Sequence, residues 1–224
     1  MADFSPLIVT GVGAVLCGTV ATVMALWAAR IQPISKPFTV LAVIVSMVVG
    51  GVAGSLLLSG HTALSARQLL SMVSVALLVA LAVADALVQW VPLMLAAGAA
   101  IVGVALHAGS GAVGIRPALI GMLGAVAVLG VVRWLATRAT RTTDQYPDLE
   151  AVGAGDVWIS AAVGAVLGWP LMVGGLMAGG IIAAAIGIMI LVRGGSKSDT
   201  LPLGACLCGG AILILLRSAT LHIH

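Results

Sequence analysis

Apolar stretches of about 20 residues recur along the whole chain, each long enough at about 1.5 Å per residue to cross a hydrocarbon core of roughly 30 Å. Reading the runs against their breaks predicts eight segments: Leu7 to Ala29, Phe38 to Leu58, Leu69 to Val88, Pro92 to Ala108, Pro117 to Ala136, Asp156 to Trp169, Pro170 to Val192 and Leu201 to Leu216. Pro92, Pro117 and Pro170 each open a segment, where a missing N–H costs nothing. Gly-Ser or charged residues fill most of the connections. The pattern predicts an all-α polytopic transmembrane helix bundle of about eight membrane segments, organised as one integral membrane domain over residues 1–224.

Composition agrees. Of 224 residues 62% are hydrophobic and only 8% are charged, a ratio at which a soluble globule could not cover its surface. The partner of this surface is the lipid bilayer, and nothing in the chain supports nucleic-acid binding. The opening Met-Ala-Asp-Phe lacks the positive region of a secretory signal, so the first apolar segment is expected to remain as a membrane helix. The 29 glycines and many alanines are expected to let helices approach closely, as at Gly50-Gly51 with Gly54 and Gly174-Gly175 with Gly179-Gly180.

The net charge of +3 says less than where the charges fall. With the N-terminus outside, the cytoplasmic loops hold Arg30, Lys36, Arg133, Arg138, Arg141, Arg193 and Lys197, against Arg67, Arg116 and Arg217 on the outer side. Seven against three favours that orientation. Cys17, Cys206 and Cys208 form no CxxC pair and lie in apolar segments, so they are read as small core residues with no metal site and no cofactor implied.

Of seven acidic residues, Asp3, Asp144, Asp148, Glu150 and Asp199 fall in terminal or loop positions. Asp85 and Asp156 do not. Asp85 lies 16 residues after Leu69, which is about 24 Å along its helix and a few ångströms inside the cytoplasmic boundary. Asp156 lies 13 steps before Trp169, a candidate interfacial anchor, and the roughly 20 Å between them gives a matching depth.

An intramembrane carboxylate costs several kcal/mol unless paired, protonated or hydrated, so it marks function or a hydrogen bond to a neighbouring helix. Two carboxyls within hydrogen-bond reach in low dielectric cannot both ionise, and the pair shares a proton. One member then acts as acid while the other acts as base, as activation of water against a peptide carbonyl requires. No serine or cysteine nucleophile with a histidine partner is evident, since His107 lies at the outer end of its segment and His222 and His224 lie in the tail. In Gly153-Ala154-Gly155-Asp156 the glycines allow close backbone approach by a substrate strand, and the helix N-terminus favours an anionic Asp156.

These residues resemble the type IV prepilin peptidase family, bacterial GxGD aspartyl proteases that remove leaders from type IV pilins and secretion pseudopilins. The family's first aspartate is followed seven residues later by proline, and Asp85 and Pro92 keep that spacing. Its GxGDxKLxxxxGxxxG pattern is matched by GAGDVWISAAVGAVLG, with Gly153, Gly155, Asp156, Gly164 and Gly168 in register. A late segment, Leu201 to Leu207 with Gly209 and Gly210, is similar to the family's P-x-G-P-x-L-x-x-G. The resemblance covers roughly Leu69 to Leu216.

It implies an intramembrane aspartyl endopeptidase of the bacterial inner membrane, with Asp85 and Asp156 as the catalytic pair toward the cytoplasm and Gly153, Gly155 and Pro92 shaping the site. The implied partner is a membrane-inserted prepilin or pseudopilin, cleaved after glycine at the end of a basic leader. Two positions depart from the pattern: Leu93 stands where Asn or Asp is frequent, and Trp158 replaces the common lysine. The Arg30 to Lys36 loop has no cysteines, so the chain looks like a short form without the cysteine-bearing domain tied to pilin N-methylation. Asp144, Asp148 and Glu150 are either a solvated loop or an attractor for the basic leader. The competing readings are a proton- or cation-coupled transporter using the same acids, and a catalytically degenerate component of a pilus or secretion machine.

Overall fold

The computed structural model describes residues 15, 18–20, 22–23, 48, 66–89, 91–108, 114–141, 152–193 and 201–221. The predicted segments Leu7 to Ala29 and Phe38 to Leu58 therefore lie largely outside the described residues, as do Asp144, Asp148 and Glu150. Within the first of them, Thr19 and Thr22 donate to the carbonyls of Val15 and Gly18, each at 2.7 Å. That four-residue return is the helical one.

Every extended element among the described residues is helical. We number them α1 (Ala66–Val88), α2 (Leu93–Ala108), α3 (Arg116–Arg141), α4 (Ala154–Leu167), α5 (Leu171–Val192) and α6 (Leu203–Leu221). They coincide with the last six predicted segments to within a few residues, except that α3 and α6 each run five residues further. The apolar run in α3 ends at Ala136, but the helix continues to Arg141. Arg133, Arg138 and Arg141 are thus helical residues rather than loop residues. The reason is that arginine and alanine are good helix formers and a long cationic side chain can lay its stem along the helix. Arg138 does so, stacking 4.1 Å above the Trp134 ring.

The helices are not equal spans. Ala66–Val88, Arg116–Arg138 and Leu171–Val192 are long and apolar enough to cross a membrane, whereas Leu93–Ala108, Ala154–Leu167 and Leu203–Ser218 are shorter. The 14 residues of α4 reach only about 21 Å. Its shortness goes with its position: Ile159 through Gly168 are all buried, and α4 packs along α3 and α2 and against α6. α1 packs on α6 and α2, and α5 lies mainly against α6.

Small residues make these crossings close. A side chain at Gly121 would run into the backbone of Gly164, and one at Gly164 into that of Gly121. One turn along, the Ser160 hydroxyl reaches the Ala125 carbonyl at 3.4 Å and its own Val157 carbonyl at 2.8 Å. α3 and α4 therefore run antiparallel, with 121 opposite 164 and 125 opposite 160. Of the glycines expected to pack α5, Gly175 and Gly179 face α6, while Gly180 meets nothing within 4 Å.

Candidate active site

α1 ends just past Asp85. The Asp85 carbonyl takes the Gln89 N–H at 2.9 Å, and Gln89 turns the chain with φ 53. Val91 and Pro92 follow, and the Pro92 carbonyl accepts from Leu95 and Ala96 to start α2. Pro92 thus stands immediately before α2, where its missing N–H is not needed. Asp85 itself is only 6% exposed.

Asp156 is the third residue of α4, and its Oδ2 accepts the Gly153 N–H at 3.0 Å. This is the reach-back half of a capping box, in which an acid in the first turn satisfies an amide that the helix leaves without an internal partner. Gly155 is approached by the chain itself. A Cβ there would lie 2.9 Å from Val91 Cγ2, so the bare glycine seats the strand between Asp85 and Pro92. Gly153 has more room: the nearest atom to a Cβ is Asp156 Oδ2 at 3.5 Å.

The start of α6 joins the two acids. Its first amides have no helical partners, and they point at the carboxyls. The Ala205 N–H donates to Asp85 Oδ2 at 2.8 Å. Gly204, the residue before it, lies directly against the Asp85 carboxyl and against Ile159, one turn along α4 from Asp156. Gly204 is a glycine for a visible reason. A Cβ there would lie 3.0 Å from the Asp85 carboxyl and would strike Ile159 Cδ1.

Two acids 71 positions apart in sequence are therefore gathered under the N-terminus of a third helix. The structure brings Asp85, Asp156, Gly153, Gly155 and the Val91-Pro92 strand together. It adds Gly204 and Ala205, which the motif comparison had placed only in a loosely similar late segment. The proline at 202 followed by glycine, a helix-start signal, was the available pointer to those free amides. It also adds Arg133, whose charge acts on Asp156 from α3. Cys206 and Cys208 are buried, as expected for core residues.

Leu93 and Trp158, the two departures from the family pattern, are each about half exposed, at 51% and 52%. His107 is not at this site. Its Nε2 lies 3.2 Å from the Val166 carbonyl, ten residues or about 15 Å along α4 from Asp156.

The model of the type IV leader peptidase family matches residues 72–188. The matched stretch holds both acids and the GAGD turn and stops before α6. No curated protein and no solved structure matches the chain.

Proposed function

This chain belongs to the type IV leader peptidase family, and from that premise we propose that it is an intramembrane aspartyl endopeptidase whose catalytic pair is Asp85 and Asp156. The observation that carries the reading is the meeting of both acid-bearing turns at the start of α6: Ala205 donates to Asp85 at 2.8 Å, and Gly204 is wedged between the Asp85 carboxyl and Ile159, one turn along α4 from Asp156. A structural acid needs a hydrogen-bond partner, but it does not need a second acid beside it.

The chemistry follows from a pair that holds one proton. The ionised carboxyl takes a proton from water as the water oxygen adds to the scissile carbonyl carbon. The protonated carboxyl gives its proton to the carbonyl oxygen. Collapse of the tetrahedral intermediate breaks the C–N bond; the proton taken from water passes to the leaving amine, and one hydroxyl of the diol returns its proton to the other carboxyl, which restores the pair. The backbone donors of Gly153 and Ala205 hold the carboxyl oxygens in place throughout, at no reorganisation cost.

The substrate is a membrane-inserted prepilin or pseudopilin with a basic leader ending in glycine, presented at the cytoplasmic face of a bacterial inner membrane. Both acids lie at helix ends, which suits cleavage at a membrane boundary better than at the bilayer centre.

The test is leader removal in membranes containing a prepilin. Asp85→Asn and Asp156→Asn should each abolish it. Cleavage surviving both replacements would refute the mechanism, and a transporter using the same acids would leave leader removal unaffected by them.

A further inference from the structure

The inference concerns Arg133, and it rests on the peptidase reading above. α3 presents one continuous face to α4. Ala118, Gly121, Ala125 and Leu129 are all buried, and Arg133 is the next residue at four-residue spacing, half-buried in the same stripe. The register is pinned at two levels. Gly121 sits against Gly164, and Ala125 accepts from Ser160.

Carried on through the helix, that register sets Leu129 across from Asp156 and Arg133 across from Val152 and Gly153. Arg133 therefore stands on the α4-facing stripe of α3, one turn beyond the level of Asp156 and towards the GAGD turn. The face is reinforced from behind, where the Thr137 hydroxyl donates to the Arg133 carbonyl at 2.8 Å.

We propose that Arg133 is a positioning residue for the acid pair: from α3 it sets a fixed positive charge beside the GAGD turn and holds the Asp156 carboxylate in register with Asp85. The other titratable groups around Asp156 are Asp85 from α1 and Cys206 and Cys208 from α6. α2 carries only His107, at its far end. Arg133 is thus the cation that the described elements packed against α4 direct at the pair. Its charge is felt at Asp156, and a half-buried cation is screened less by salt than an exposed one. Trp158, on α4 itself, supplies no charge two residues after the acid.

The experiment uses the full chain reconstituted in vesicles, with a membrane-inserted peptide carrying a basic leader as substrate. Arg133→Met keeps the apolar stem and removes the charge, whereas Arg133→Lys keeps the charge. Rates are compared per folded molecule, with thermal unfolding recorded for each variant. The expected result is a fall in kcat of about tenfold for R133M, equivalent to one factor of ten in transition-state stabilisation, with KM unchanged. R133K should stay within about twofold of the parent chain.

Equal kcat for R133M and the parent would overturn the proposal. An equal fall for R133M and R133K would also overturn it, by showing a need for the side chain's shape instead of its charge. Asp85→Asn and Asp156→Asn run alongside. If they still cleave, the peptidase reading falls and takes the Arg133 role with it. If they are inactive while R133M is normal, only the Arg133 role falls.

Discussion

The two ends of α4 use similar residues for different ends. At the N-terminal end an acid, two glycines and the nearby Val91-Pro92 strand meet the amides of α6. At the C-terminal end a histidine, Gly168 and Pro170 meet α2 and α3. In both places polar groups sit inside an apolar bundle, where an unmatched donor or acceptor costs about 1–3 kcal/mol.

The C-terminal end is a closed account of backbone groups. α4 ends at Leu167, so the Val166 carbonyl is among the last four that the helix leaves without a donor of its own. The His107 ring takes that place at 3.2 Å, and the Trp169 N–H goes to the Pro117 carbonyl at 2.9 Å. The N-terminal end instead gathers two carboxyls, from α1 and α4, beside the first amides of α6. Each acid accepts from its own backbone amide, Gly153 for Asp156 and Ala205 for Asp85, and what the amides do not require is that the two carboxyls be brought together.

The sharpest way to break this comparison is to remove charge at one end and the ring at the other. Asp85→Asn and Asp156→Asn each preserve size and should lower leader cleavage by at least about a thousandfold, since members of a catalytic unit fail together. Thermal unfolding in detergent should move little. If either variant instead unfolds the bundle while residual cleavage persists, the acid end is architectural like the other.

Gly204→Ala comes next. Its added methyl meets Ile159 and the Asp85 carboxyl, and it displaces amide donors aimed at the reacting groups. A loss of about a hundredfold in kcat is expected, the scale seen when one preorganised donor is removed. The reading to check is kcat against KM, with KM the less affected. A normal kcat would mean that the α6 amides do not position the acids.

How much of this was legible beforehand depends on distance along the chain. The depth of Asp85 and Asp156 follows from counting residues from the helix ends, and both acids do lie within a turn of an end of their helices. The GAGD string also places Asp156 where an acid satisfies its own helix start. The Ala205-to-Asp85 bond joins residues 120 apart, and no spacing rule reaches that far. Arg138 and Arg141 read as loop residues because hydropathy falls at Ala136 while helix propensity does not, and Arg133 is counted with them although it lies inside the predicted segment. His107 is legible at the end of its segment, but its partner, the Val166 carbonyl, lies 59 residues away.

His107→Ala should cost about 1–3 kcal/mol of stability by leaving the Val166 carbonyl without its ring partner. Cleavage per folded molecule should stay within about twofold, because the ring is roughly 15 Å from Asp156 along α4. The measurement is a thermal unfolding curve paired with a cleavage rate below the transition. A selective loss of kcat at unchanged stability would erase the contrast between the two ends.

The smallest effect is expected from the paired glycines, and it separates the ends most finely. Gly168 has φ 67 and ψ 172, a region essentially confined to glycine, and a Cβ there would lie 2.8 Å from the His107 ring, so Gly168→Ala carries both a backbone penalty of about 1–3 kcal/mol and a contact with the ring. Gly153 has φ −69 and ψ 156, which alanine adopts freely, and its nearest neighbour stands at an ordinary 3.5 Å. Gly153→Ala should therefore cost less than about 1 kcal/mol, no more than the difference between these residues at a helix N-cap. Since the folded chain has no steric need for glycine at 153, any larger loss of cleavage in this variant must come from what approaches the site from outside. A rise in KM with normal unfolding would assign Gly153 to the passage of the substrate backbone, and unchanged kinetics would remove it from the substrate path.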